Sequence, residues 1–230
     1  ISDLPTQTKM IIVFCGIITI VLLFYYLLYK KGTEIDHVTF LNGLSKNPPT
    51  PWNAKNNLFK WKDKSGTEFP YIPSSQLKLV DYKQYTISFW IYPRGSLIKS
   101  EETMGDWSYK YGQWKHILHI GNWHNEKTTQ QSPGFWLSPK LNRLNVIIDT
   151  MQEKERIVID NIDLNSWSNV TAVLDNFSIS IYVNGRLEKT ITLRYQPMNL
   201  LGSNLWIAKK GGYSGYLSYI SVYSTPLEPD

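Results

Sequence analysis

Hydrophobic and polar positions change rhythm twice along the chain. From Met10 to Tyr29 they do not alternate at all: MIIVFCGIITIVLLFYYLLY runs for 20 residues without a charge. At about 1.5 Å per residue such a helix spans about 30 Å, the thickness of a bilayer core. Lys9 and the pair Lys30-Lys31 bound the run, and Tyr25, Tyr26 and Tyr29 gather at one end as an interfacial belt does. A cleaved signal has a shorter apolar core and small residues before its cleavage site, whereas this run ends in Tyr-Lys-Lys. The pattern predicts a short flank over 1–9 and one transmembrane helix over 10–29. Its anchoring residues are Met10, Phe14, Ile17, Val21, Phe24, Leu28 and Tyr29, with Lys30 and Lys31 at the membrane surface. One lysine before the run and two directly after it place the remainder on the cytoplasmic side. Because the sequence begins at Ile1, residues upstream would change that count.

Residues 30–57 are polar and turn-rich, with Asn42-Gly43 and the stretch Asn47-Pro48-Pro49-Thr50-Pro51. Proline favours extended, stiff backbone in such a stretch, which reads as a juxtamembrane spacer. From Leu58 the rhythm becomes short alternating runs. Tyr85–Tyr92, Ile117–Ile120, Gly134–Leu137, Leu144–Ile148 and Arg156–Ile159 read as strands. The clearest stretch is Trp167–Leu193, where Val170, Ala172 and Leu174 alternate with polar residues before a turn at Asp175-Asn176. Phe177, Ile179, Ile181 and Val183 then share a face up to Asn184-Gly185, the strongest short hairpin signal, because a type I′ turn needs positive φ at both central residues. Strands near Leu205–Ala208 and Tyr216–Tyr223 follow. This succession without helical periodicity predicts an all-β, two-sheet antiparallel jelly-roll sandwich over 58–230.

Composition narrows the function classes. Charged residues make up 19% and aromatic residues 14%, too apolar and aromatic for a disordered chain. The net charge of +5 falls entirely on residues 37–230, a mild excess that suits anionic lipid or an acidic partner and is no nucleic-acid signature. Cys15, the single cysteine, excludes a disulfide framework and a cysteine-based zinc site.

Candidate chemistry is sparse. The nearest approach to paired carboxylates on one strand is Glu34-Ile35-Asp36, which lacks a third acid and reads as solvated linker. His116, His119 and His124 lie close in sequence, but positions 116 and 119 of a regular strand face opposite ways, so they chelate one metal only if a bulge intervenes. Asp149, Asp160, Asp163 and Asp175 are scattered calcium candidates, and Asp175 is equally explained by its turn. The Gly-rich stretch 209–215 lacks the order of a phosphate loop. Trp90, Trp136, Trp167 and Trp206 lie in or beside strand runs and are expected in the core. Trp107, Tyr109, Tyr111, Trp114 and Trp123 lie in or beside the long 94–133 connection, where aromatics serve as sugar platforms or protein anchors. With Lys209, Lys210 and Tyr213 they form the candidate partner or glycan contacts. Asn169-Val170-Thr171 and Asn176-Phe177-Ser178 are glycosylation sequons, which matter only in a lumenal domain.

Three segments carry a family resemblance. YTISFWIYP (85–93), WSNVTAVLDNFSISIYVNGRLEKTITL (167–193) and GYLSYISVYSTPLEP (215–229) resemble, in order, the early strand, the central hairpin and the closing strand of laminin-G, concanavalin A-like domains. The resemblance implies the sandwich fold. It implies no single activity, since such domains include carbohydrate binders, adhesion modules, glycosidases and structural proteins, and fold does not select among them. One anchor, a short spacer and a cysteine-free sandwich together are similar to membrane-linked minor capsid proteins of large DNA viruses with an internal membrane. On that resemblance the chain is a non-catalytic structural tether between a bilayer and a coat protein, at the interface of a virion membrane with its capsid, needing no cofactor. The alternative is a cell-surface carbohydrate-binding or adhesion module, for which glycan and calcium stay open.

Overall fold

The computed structural model describes residues 17–25, 37–40, 52–53, 61–62, 65–95, 114–123, 129–138, 142–209 and 212–227. The chain divides into two units, Ile1–Asp36 and His37–Asp230. In the first, residues 17–25 form a helix, α1, whose apolar side chains are exposed. Among the described residues no helix is long and apolar enough to cross a membrane. Of the expected anchor, Ile17, Val21 and Phe24 are in α1, while Met10, Phe14, Leu28, Tyr29, Lys30 and Lys31 lie outside the described residues.

The second unit is the expected antiparallel sandwich. Its elements are β1 (His37–Phe40), β2 (Trp52–Asn53), β3 (Trp61–Lys62), β4 (Glu68–Phe69), β5 (Tyr71–Ile72), α2 (Ser74–Leu77), β6 (Gln84–Pro93), β7 (Lys115–Asn122), β8 (Gln130–Leu137), β9 (Leu144–Asp149), β10 (Lys154–Ile159), β11 (Ser168–Asp175), β12 (Ser178–Val183), β13 (Arg186–Thr192), β14 (Asn204–Ile207) and β15 (Gly215–Tyr223). The first sheet has the order β1-β15-β6-β11-β12-β13, with β2 also on β15, and the second β10-β9-β8-β7-β14-β5. β3 and β4 pair separately. Strand β1 lies in the stretch read as spacer and pairs with β15, His37 opposite Tyr223.

The core sits between the sheets. Ile87, Phe89 and Ile91 of β6 and Val170, Ala172 and Leu174 of β11 meet Phe135 and Leu137 of β8 and Leu144, Val146 and Ile148 of β9. Phe89 and Phe135 pack edge-on across the gap at 4.8 Å between centroids, a favourable aromatic geometry. The two sheets differ on their outer faces. β11 alternates buried and partly exposed residues, whereas β9 is buried at all six positions. A strand buried on both faces reads as one continuous run.

The Asn184-Gly185 hairpin forms as its sequence predicts, with φ of 52° and 77°. Replacing Gly185 by Ala puts a side chain where L residues are strained, and the expected cost is about 1 kcal/mol of unfolding free energy in chemical denaturation.

Candidate functional site

The outer face of the second sheet carries the unusual chemistry. Leu144, Val146 and Ile148 face the core, so Asn145, Ile147 and Asp149 face outward on β9. The register sets Asn145 beside Trp136 of β8, and Trp136 beside His116 of β7. A register shift between His116 and Leu118 then brings His119 to the same face as His116, where a regular strand would have separated them. Trp206 of β14 continues the row, paired with His119 in register and near-parallel to its ring at 6.4 Å. Trp123, just past β7, lies 5.7 Å from both histidine rings, and Tyr71 of β5 packs on Trp206 at 4.7 Å.

Hydrogen bonds along this row fix which buried atoms are left without a partner among the described residues. The Lys209 backbone N–H donates to His116 Nδ1 at 2.9 Å. His116 therefore carries its proton on Nε2, which donates to His119 Nδ1 at 2.8 Å. Burial, aided by the Lys154 and Lys209 cations, pushes the His119 pKa down to about 3. The neutral ring must then hold its proton on Nε2, which has no hydrogen-bond partner among the described residues. Gln131 is similar: its Oε1 accepts from Trp136 Nε1 at 2.8 Å, and its Nε2 has no partner among the described residues. Gly134 makes room for that side chain, since a Cβ there would stand 2.0 Å from Gln131 Oε1. Asn145 has neither side-chain atom partnered among the described residues. His119, Gln131 and Asn145 are fully buried, so each unmet group costs roughly 1–3 kcal/mol.

One end of the face opens into a cavity of about 340 Å³ lined by Thr129, Gln130, Asp149, Thr150, Glu153, Lys154 and others. Asp149 accepts from the Gln131 N–H at 2.8 Å and pairs with Lys154 at 2.8 Å. Burial raises the Asp149 pKa, opposed by Lys154 and the Gln131 N–H. Glu153 is bridged by Arg194 at 3.3 Å. At the other end Lys209 sets its ammonium 4.7 Å over the Trp206 ring, and partial burial lowers its pKa.

Several sequence expectations change. Trp136 is buried, but on the outer face rather than in the core, and Trp206 shares that face. Trp90 and Trp167 are 39% and 36% exposed, because Trp90 alternates against Phe89 and Ile91 and Trp167 lies edge-on to Tyr92 and tilted to Tyr216 outside the first sheet. Tyr213, expected as a contact residue, is buried in the core cluster, its hydroxyl donating to the Tyr216 carbonyl. Trp114 and Trp123 are half-buried at the start and end of β7, and Lys209 is near the site; Trp107, Tyr109, Tyr111 and Lys210 lie outside the described residues. So do His124 and the Glu34–Asp36 pair. Among the described residues no three His, Cys, Asp or Glu side chains are gathered for a metal: Asp149 pairs with Lys154 and Asp160 with Arg143, while Asp175 accepts from Gln84. At the sequons, the Asn169 amide is spent on Ser88 and Phe89, whereas Asn176 sits exposed in its turn.

The His119 shift has a consequence for stability. Between pH 6.5 and about 3 the unfolded chain binds a proton at this ring that the folded chain refuses, so stability falls as pH drops through that window. Relative to His119→Gln, the wild type is expected to lose about 1.4 kcal/mol per pH unit between pH 6 and 4 in denaturant titrations.

Comparison with known proteins bears on the fold. A family model described as the concanavalin A-like lectin/glucanases superfamily matches residues 65–230. No curated protein matches the chain. Among solved structures, the botulinum neurotoxin serotype D binding domain superposes with a TM-score of 0.47 at 14% identity, over 64% of this chain and 35% of that one. The Ruminococcus gnavus IT-sialidase CBM40 bound to alpha2,3 sialyllactose gives 0.48 at 15% identity, over 64% of this chain and 79% of that one. The chain spans about a third of the toxin domains it superposes on, and at these identities the likeness is one of fold. With the family model covering most of the chain and the two-sheet sandwich in place, the chain belongs to the concanavalin A-like lectin/glucanases superfamily.

Proposed function

We propose that this chain is a non-catalytic carbohydrate-binding module. One observation carries the reading: amide and imidazole groups without partners among the described residues share the outer face of the second sheet with Trp123, Trp136 and Trp206. Sugars offer hydroxyls to fixed amides and apolar C–H faces to aromatic rings, and this face supplies both kinds of partner. The binding reading over a hydrolytic one is supported by the cavity carboxylates. Asp149 is held by Lys154 and a backbone N–H, and Glu153 is bridged to Arg194, so both cavity carboxylates are already engaged in ion pairs within the fold.

The apolar run around α1 supports a second element, attachment to a bilayer, since Ile17, Val21, Leu22 and Phe24 are all more than half exposed. A single-pass anchor would set the sandwich beside a membrane. The glycan reading puts it on the glycan-bearing side, and the lysine count favouring the opposite side rests on one charge. A tether to a coat or capsid protein draws on the anchor, the spacer and the cysteine-free sandwich together, whereas the family and the outer face favour glycan.

Two outcomes are expected. On a broad glycan array the detergent-solubilised chain binds a restricted set of glycans, and Asn145→Ala, checked for folding by circular dichroism, weakens binding at least tenfold; silence across the array defeats the reading. In vesicle flotation the chain rises with lipid, and Val21→Lys with Phe24→Lys leaves it at the bottom; a double variant that still floats shows that α1 is not the tether.

A further inference from the structure

The groups left without partners on this face are unequal in kind. His119 Nε2–H, the Gln131 amide and the Asn145 amide are donors, against the acceptors Asn145 Oδ1 and Asp149 Oδ1, the second of which already faces the Lys154 ammonium at 2.8 Å. Lys209 adds an ammonium, half-buried over Trp206, for which no carboxylate stands within ion-pair distance among the described residues. The other cation acting on His119, Lys154, is already balanced by Asp149. The face thus carries an excess of donors and one uncompensated positive charge, and a neutral sugar, whose hydroxyls donate as readily as they accept, leaves that excess unmatched.

We infer that the ligand is an acidic sugar, its carboxylate received by Lys209 and the neighbouring donor His119. The inference rests on the carbohydrate-binding reading and specifies its ligand class. A carboxylate only accepts, so it matches an array of donors without leaving a hydroxyl proton unpaired. It also gives Lys209 a counter-ion in a place where partial burial already disfavours the lone ammonium. The Trp206 indole under Lys209 donates its own N–H to the Gly121 carbonyl at 2.9 Å, so its ring is held in place and its face supports the cation and the sugar edge.

The matched probes are glycans ending in glucuronic acid and in glucose, which differ at C6 by a carboxylate against a hydroxymethyl group. Calorimetry on the detergent-solubilised full chain is expected to show the glucuronide bound at least tenfold tighter, with the ratio shrinking as salt rises. Lys209→Gln brings the ratio close to one, and Lys209→Arg, which keeps the charge, retains it. Equal binding of the two glycans by the wild type, or a ratio unchanged in Lys209→Gln, overturns the acidic-sugar inference and leaves the carbohydrate-binding reading standing. Binding of neither probe, nor of any glycan on the array, removes both.

Discussion

A 2.8 Å hydrogen bond between two histidines three residues apart sets the chemistry of the outer face. On a regular strand His116 and His119 would face opposite ways, one into the core. The slipped register of β7 against β8 puts both rings on the outside, and the Lys209 N–H then orders the protons along the pair. Without the slip His119 would enter the apolar core, and without the Lys209 contact the tautomer of both rings would be free. The unpartnered donor at His119 Nε2 is the product of the two together.

The rest of the sandwich supports that row. Phe135, Leu137, Val146 and Ile148 hold β8 and β9 against the first sheet, so that the alternate residues Trp136, Asn145, Ile147 and Asp149 are fixed in register beside one another. Gly134 leaves the space in which the Gln131 side chain runs along β8 to reach the Trp136 indole. Burying polar groups without partners opposes folding, and proteins carry such groups where a ligand later meets them more often than in a structural core. The first sheet offers a contrast: its polar outer residues are satisfied locally, as in the Ser88–Thr171 and Ser180–Thr190 pairs across strands.

Much of the fold was legible in the sequence. Alternation over 85–92 and 168–193 gave strands within about two residues of β6, β11, β12 and β13, because β6, β11 and β12 bury one face more than the other and β13 follows directly from the Asn184-Gly185 turn. The exposure of Trp90 was legible too, from its position between Phe89 and Ile91, yet an aromatic within a strand run reads as core unless that parity is followed. The site was harder to see. β9 reads LNVIID, and its double burial hides which residues face outward, though Asn145 in so apolar a run was a usable signal. The bulge in β7 has no sequence signature of its own, and ideal strand geometry without it puts His119 on the face opposite His116. Tyr213 follows Gly212, at φ 57°, and that backbone turns its ring inward, which a Gly-rich stretch does not reveal. β1 gives little signal because it is a four-residue strand in a polar, turn-rich stretch.

The most direct test of the account is to see which tryptophans feel a ligand. In nitrogen-15 spectra of the full chain, titration with a glycan that binds on the array is expected to shift the indole N–H signals of Trp123, Trp136 and Trp206, assigned by single Trp→Phe variants. Trp90 and Trp167, on the first sheet, stay where they are. Shifts confined to Trp90 and Trp167 would place the glycan on the opposite face and contradict the assignment of the site.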